Sequence, residues 1–226
     1  MAQTPAETQG AFATPVTRPT EEASLTFVAR ILQLWTDQRN LVLGVLTGLV
    51  FLVIAVVLFF VYQNRLEDRA QEALVEPVRL FEQEQFQQAL PGLEAVTSQF
   101  GRTDAGNMAR FYAAIAAYET GDMDKALTFF RSVKKTRDFI GASALAGEAG
   151  IVAERGDSRS AAELFLRAAS LFPNELFAPA NLLTAARLFL DAEQPQAARA
   201  ALERITSDFE SSPEAGEVPF YMGQLD

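Results

Sequence analysis

The sequence predicts an all-α protein: one apolar N-terminal helix able to cross a membrane, followed by an α-solenoid of about four degenerate helical hairpins. Three observations predict it. The stretch Leu41 to Tyr62 is apolar throughout and contains no charged residue. A small-and-apolar pattern then recurs at intervals of thirty-odd residues. Gly-Asp pairs stand at matching places between the recurring segments.

Composition narrows the classes of function. The chain has 226 residues, enough for one membrane span and one domain of ordinary size, with neither Cys nor His. Disulfides, thiol nucleophiles and thiolate or imidazole metal sites are therefore excluded, and no cofactor is expected. Net charge is −10. Sixteen basic and twenty-five acidic side chains follow the apolar run, so the C-terminal portion carries about −9. Such a surface repels phosphate backbones, which argues against nucleic-acid binding.

Residues 1–24 are rich in Thr, Pro, Ala and Glu without apolar periodicity, and read as a disordered tail. Over 25–40, Leu25, Val28, Ile31, Leu32 and Trp35 recur at helical spacing. Two readings fit equally: a juxtamembrane amphipathic helix with Trp35 as interfacial anchor, or an extension of the membrane helix. At about 1.5 Å per residue, 41–62 spans roughly 30 Å, the thickness of a bilayer's hydrocarbon core. The run is too long, and too far from the first residue, for a cleavable signal sequence. Gly44 and Gly48 form a small-xxx-small pair that would let another helix approach, including one from a second copy of the chain. Arg30 and Arg39 precede the run, and Arg65 and Arg69 follow it, so flanking charge does not set orientation. A short tail inside and a large acidic domain outside is the preferred arrangement.

A connector helix is expected over 63–79, the repeats over 80–212 and a capping segment over 213–226. Four segments place an alanine before apolar residues about four, seven and eleven positions on, which share one helix face. They are Ala89, Leu93, Val96, Phe100; Ala126, Phe130, Val133; Ala161, Phe165, Ala168, Phe172; and Ala197, Ala201, Ile205, Phe209. The second copy lacks the last position, and the fourth slips by one residue after Ala201. Gly121-Asp122 and Gly156-Asp157 precede two of these helices. Glycine suits the left-handed end of one helix and aspartate the N-cap of the next. In the fourth copy Ala192 takes the glycine's place, with Pro195 opening the helix. Partner helices are expected near Met108–Thr120, Ile140–Arg155 and Leu176–Leu190, with kinks or shortened ends at Pro77 and Pro91.

These residues resemble the tetratricopeptide repeat. The third copy matches its second-helix pattern in full: Ala161, Phe165, Ala168, Pro173. Thr103 to Ala109 with Tyr112, Gly147-Glu148 and Pro179, together with the tail–anchor–repeat layout, are similar to the bacterial ancillary Sec translocon subunit family. The resemblance implies a single-pass inner-membrane protein with a cytoplasmic N-terminus and a periplasmic repeat domain. Its implied partners are translocon components, periplasmic chaperones or unfolded clients.

Stacked hairpins curve, and the first helix of each lines the concave side. Inward positions are expected at Met108, Phe111, Ile115 and Tyr118, and in the fourth copy at Leu182 and Phe189. An apolar groove there suits extended or partly folded chains. Aromatics at this spacing also fit plain packing between helices. The Lys/Arg/Asn clamp that grips a peptide carboxylate in some tetratricopeptide domains is missing. Ser132-Val133-Lys134-Lys135 fits Ser-x-x-Lys but lacks its companion motifs, so no enzyme is expected. Lys134, Lys135 and Arg137 read as cations at a helix C-terminus. The sequence thus points to a protein-binding scaffold aiding exported proteins. Alternatives are an assembly scaffold for an envelope complex without client binding, and a cytoplasm-facing adaptor of inverted topology.

Overall fold

The computed structural model describes residues 39–225, and the expectations for 1–24 and for the segment around Trp35 lie outside that range. The described residues form nine α-helices and one 3₁₀ turn, with no strand among them. In chain order they are α1 Arg39–Glu82, α2 Phe86–Phe100, α3 Asp104–Glu119, α4 Met123–Ser132, α5 Phe139–Glu154, α6 Ser158–Leu171, α7 Ala178–Asp191, α8 Pro195–Asp208 and α9 Val218–Met222. The turn, Pro213–Gly216, precedes α9. The chain divides into two units, Met1–Phe60 and Val61–Asp226.

The described part of the first unit is helical and holds most of the apolar run. Its large side chains, Leu46, Phe51, Ile54 and Phe59 among them, are exposed. An aqueous surface does not sustain a continuous apolar sleeve of this size, whereas a bilayer does. The Thr47 hydroxyl donates to the Leu43 carbonyl at 2.8 Å, so this polar group is satisfied within its own helix. The helix is long and apolar enough to cross a membrane.

The second unit is a tetratricopeptide-like solenoid of four hairpins, each helix packing on the next. The residues expected as a connector belong to α1, and Ala70 and Leu74 are buried with Ala89, Leu93 and Val96 of α2. The C-terminal part of α1 is therefore the first helix of the first hairpin. Pro77 lies inside α1 and Pro91 inside α2, and both helices continue past them rather than ending there. Pro77 is buried against Gly92, where an added Cβ would stand 2.7 Å from the proline Cγ. A residue that spoils a helix pattern in sequence thus serves close packing between two helices.

One turn geometry repeats four times. The N–H groups of Glu84, Gly121, Gly156 and Glu193 donate to the carbonyls three residues back, those of Phe81, Tyr118, Ala153 and Leu190. The next N–H in each case donates five residues back, to Leu80, Ala117, Val152 and Phe189. This pair of hydrogen bonds ends a helix on a left-handed residue, and φ is +83° and +87° at the two glycines. Glu84 and Glu193 adopt φ of 58° and 54°. Asp122 and Asp157 then cap α4 and α6 by accepting from the N–H of Lys125 and Ser160.

The left-handed position corrects the register expected for the fourth copy. It falls on Glu193, one residue later than Ala192, so the repeat alanine is Ala198 rather than Ala197. Ala198, Leu202, Ile205 and Phe209 are all buried and keep offsets of four, seven and eleven without a slip. Val218 closes the last hairpin by joining Leu202, Ile205 and Phe209 in one apolar cluster.

Candidate functional site

The helix N-termini of the repeats meet close packing that only certain residues permit. At α3, Thr103 accepts from the Gly106 N–H at 2.9 Å, and Gly106 packs so tightly on the Phe100 carbonyl that a Cβ would overlap it. Asp138 and Gly141 repeat this at α5, where a Cβ would overlap the Thr136 carbonyl. The Gly141 N–H and the Thr136 hydroxyl hold the Asp138 carboxyl below the usual aspartate range. Glu67 of α1 completes the α3 cap, its two oxygens accepting from Asp104 N–H at 2.8 Å and Ala105 N–H at 2.9 Å. The first three N–H groups of α3 are thereby satisfied.

These caps frame an open groove of about 910 Å³ across α1, α3 and the segment leading into α5. Its apolar lining comes from Leu74, Val75, Val78, Met108, Tyr112 and Ile140. Glu82, Arg79 and Lys134 stand among its polar groups. Lys134 is held in place, its N–H donating to the buried Asn107 Oδ1 at 2.8 Å and its ammonium 3.7 Å from Asp104. Arg79 is engaged with Glu76 on its own helix.

Of the expected inward residues, only Met108 lines this groove, and it is 36% exposed. Phe111, Ile115 and Tyr118 are half-buried against Ala117, Phe130 and Ile151, between the second and third hairpins. The Tyr118 hydroxyl emerges and donates to Glu154 at 2.6 Å, and this bond pushes the phenol's pKa up. Leu182 and Phe189 are corrected outright. They are 0% and 3% exposed, within the core of the fourth hairpin, and offer no surface to a partner. Counting 108, 111, 115, 118 follows the stripe that packs on neighbouring helices. The groove stripe runs instead from Met108 to Tyr112. Gly44 and Gly48 are exposed with open space at their Cα atoms.

Sequence reasoning missed Leu74, Val75, Val78, Tyr112 and Ile140. The first three sat in a presumed connector. The signal that could have placed them is Leu74 with Val78, spaced four apart on a helix leading into the repeats. No group of His, Cys, Asp or Glu suited to a metal ion occurs among the described residues.

With this geometry in view, residues 78–139 match the tetratricopeptide repeat family. Among solved structures, the fold is similar to a Podosopora anserina kinesin light chain variant with nearly identical TPR-like repeats. That likeness has a TM-score of 0.52 at 15% identity, over 70% of this chain and 85% of that chain. No curated protein matches the chain. Residues 78–139 are thus of the tetratricopeptide type, and the wider repeat unit shares that fold.

Proposed function

We propose that this protein is a non-enzymatic, membrane-anchored scaffold that holds exported polypeptides beside the Sec translocon, in company with periplasmic chaperones. The observation behind the reading is the groove itself, where Leu74, Val75, Val78, Met108, Tyr112 and Ile140 present apolar surface on helices whose backbone groups are internally satisfied. Such a surface suits the apolar side chains of an extended or partly folded chain. The exposed apolar helix supplies the tether, and tethering raises the local concentration of a weak binder into an effective millimolar range. Modest affinity in the groove is then sufficient. The resemblance of the tail–anchor–repeat layout to the ancillary translocon subunits supports a bacterial inner-membrane location with the repeat unit in the periplasm. Gly44 and Gly48 offer a face for another transmembrane helix, from the translocon or from a second copy.

The test is site-specific photocrosslinking from residues 108 and 112 of the full chain in inner-membrane vesicles carrying an exported protein arrested in transit. Labelling of the arrested chain is expected from both positions and not from Arg187, on a different helix. Labelling of one stoichiometric membrane subunit alone would replace client handling with the assembly-scaffold reading. Protease digestion of the repeat unit from the cytoplasmic face would overturn the orientation.

A further inference from the structure

We propose that a second pocket, on the segment leading into α5 and on α5, α6 and α8, binds a multivalent oxyanion: a phosphate or a set of carboxylates borne by a ligand. The pocket has a volume of about 510 Å³ and takes four cations, Lys135, Arg137, Arg167 and Arg204, with the Ser170 hydroxyl. Leu145 and Leu166 supply part of its apolar wall. No acidic side chain lines it among the described residues. This convergence occurs on a unit whose net charge is about −9, where a random patch would be acidic.

Partners within the fold account for two of the four cations. The Lys135 ammonium donates to the Phe130 carbonyl at 2.5 Å, near the end of α4. Arg204 reaches the Ser170 hydroxyl at 3.3 Å and stands 3.8 Å from Asp208. The guanidinium groups of Arg137 and Arg167 make no hydrogen bond or ion pair with a described residue. Neutralising a helix C-terminus therefore explains Lys135 but not these two. Neighbouring carboxylates are already engaged, Glu148 with Arg131 at 2.9 Å and Glu163 with Arg159 at 3.3 Å. Burial depresses the Lys135 pKa and Arg167 depresses it further, against an opposing pull from Glu148. Two guanidinium groups without a partner among the described residues, beside a partly buried ammonium, favour a pocket that holds an anion. Guanidinium forks match phosphate and carboxylate oxygens in bidentate fashion. The site is separate from the apolar groove: Lys134 lines the groove, whereas Lys135 lines this pocket.

The experiment uses the full chain in nonionic detergent, titrated with pyrophosphate and, separately, citrate, against sodium chloride of matched ionic strength. Saturable binding of at least one anion is expected, with a Tm increase beyond the salt control. The Arg137→Gln/Arg167→Gln pair should weaken it by about tenfold or more, while Arg187→Gln, outside the pocket, leaves it unchanged. Preference for pyrophosphate assigns a phosphate-bearing ligand, and preference for citrate a carboxylate one. A second readout needs no variant: the bound anion should protect Lys135 from amine acylation while Lys125 reacts as before. Absence of saturation by either anion into the millimolar range overturns the proposal. So does equal binding by the double variant, or equal reactivity of Lys135 with and without anion.

Discussion

The Phe130 ring occupies the space where a Cβ of residue 147 would stand. Phe130 comes from α4 of the second hairpin and Gly147 from α5 of the third, so the missing side chain lets one hairpin seat on the next. An alanine at 147 would overlap the ring, and inserting a methyl into a filled core costs about 1–3 kcal/mol. Gly147→Ala is expected to lower stability in denaturant titration by that amount. Combining it with Phe130→Leu should recover part of the loss. A double variant no better than the sum of its parts would mean that the two residues are not the contact that matters.

The four interhelical turns share one hydrogen-bond pattern but not one residue. Gly121 and Gly156 adopt positive φ at little cost, whereas Glu84 and Glu193 do so with a Cβ. The left-handed conformation costs an ordinary L-residue about 1–2 kcal/mol. Glu193→Gly should therefore raise stability by about 1 kcal/mol, less what is lost to greater freedom of the unfolded chain. Gly121→Ala should lower it by a similar amount. The measurement is thermal unfolding of the full chain in detergent, and a destabilised Glu193→Gly would contradict the strain argument.

Glu67 is exposed to a different test because it caps a helix other than its own. Its carboxylate accepts from both Asp104 and Ala105, at the positive end of α3. Glu67→Ala leaves two N–H groups without a protein partner and is expected to cost about 1 kcal/mol. Faster hydrogen exchange at 104 and 105, with exchange in α7 unchanged, would localise the effect. Uniformly altered exchange would indicate a global rather than a capping role.

How much of this could be read from the chain depended on whether a residue acts within one repeat or between repeats. The long apolar helix, the α-hairpin architecture and the Gly-Asp turns follow from local pattern, because a helix period and a left-handed glycine are properties of short segments. The fourth copy misled because Ala197 and Ala198 are adjacent, and only the fold shows that Glu193 takes the left-handed turn. The first hairpin was obscured by Pro77, which reads as a breaker yet packs on Gly92. The groove was the least legible part. Met108 and Tyr112 face it while Phe111 and Tyr118 face the next hairpin, a distinction set by the angle at which hairpins stack rather than by hydrophobicity.

Two N-cap aspartates set an expected acid limb. Hydrogen bonds from Gly141 N–H and the Thr136 hydroxyl depress the Asp138 pKa, and the Ser160 hydroxyl and N–H depress that of Asp157. A carboxylate whose folded pKa is lowered adds stability that is fully present above its unfolded value, about 3.9. That stability is lost as pH falls through the lower folded value. Denaturant midpoints should therefore fall below about pH 4, and the Asp138→Asn/Asp157→Asn variant should show a shallower fall. An unchanged slope in that variant would shift responsibility to other carboxylates.

Core and groove substitutions should separate cleanly if the corrected assignment of the fourth hairpin holds. Leu182 is wholly buried among Ala178, Leu202 and Ile205, so Leu182→Ala removes buried volume and is expected to cost about 2–5 kcal/mol. Its effect on crosslinking to an arrested exported chain should follow only the fraction unfolded. Tyr112→Ser trims a half-buried ring beside Phe81, at a centroid distance of 4.8 Å, and should cost less than Leu182→Ala. Met108→Ser, on an exposed side chain, should leave stability within about 0.5 kcal/mol. Both groove variants should nevertheless reduce crosslinking at temperatures where the protein stays folded, because they remove apolar surface from the groove. Measuring stability and crosslinking on the same preparations distinguishes the two kinds of loss. If Met108→Ser leaves crosslinking intact and Leu182→Ala abolishes it without unfolding the chain, the binding face lies on the fourth hairpin instead.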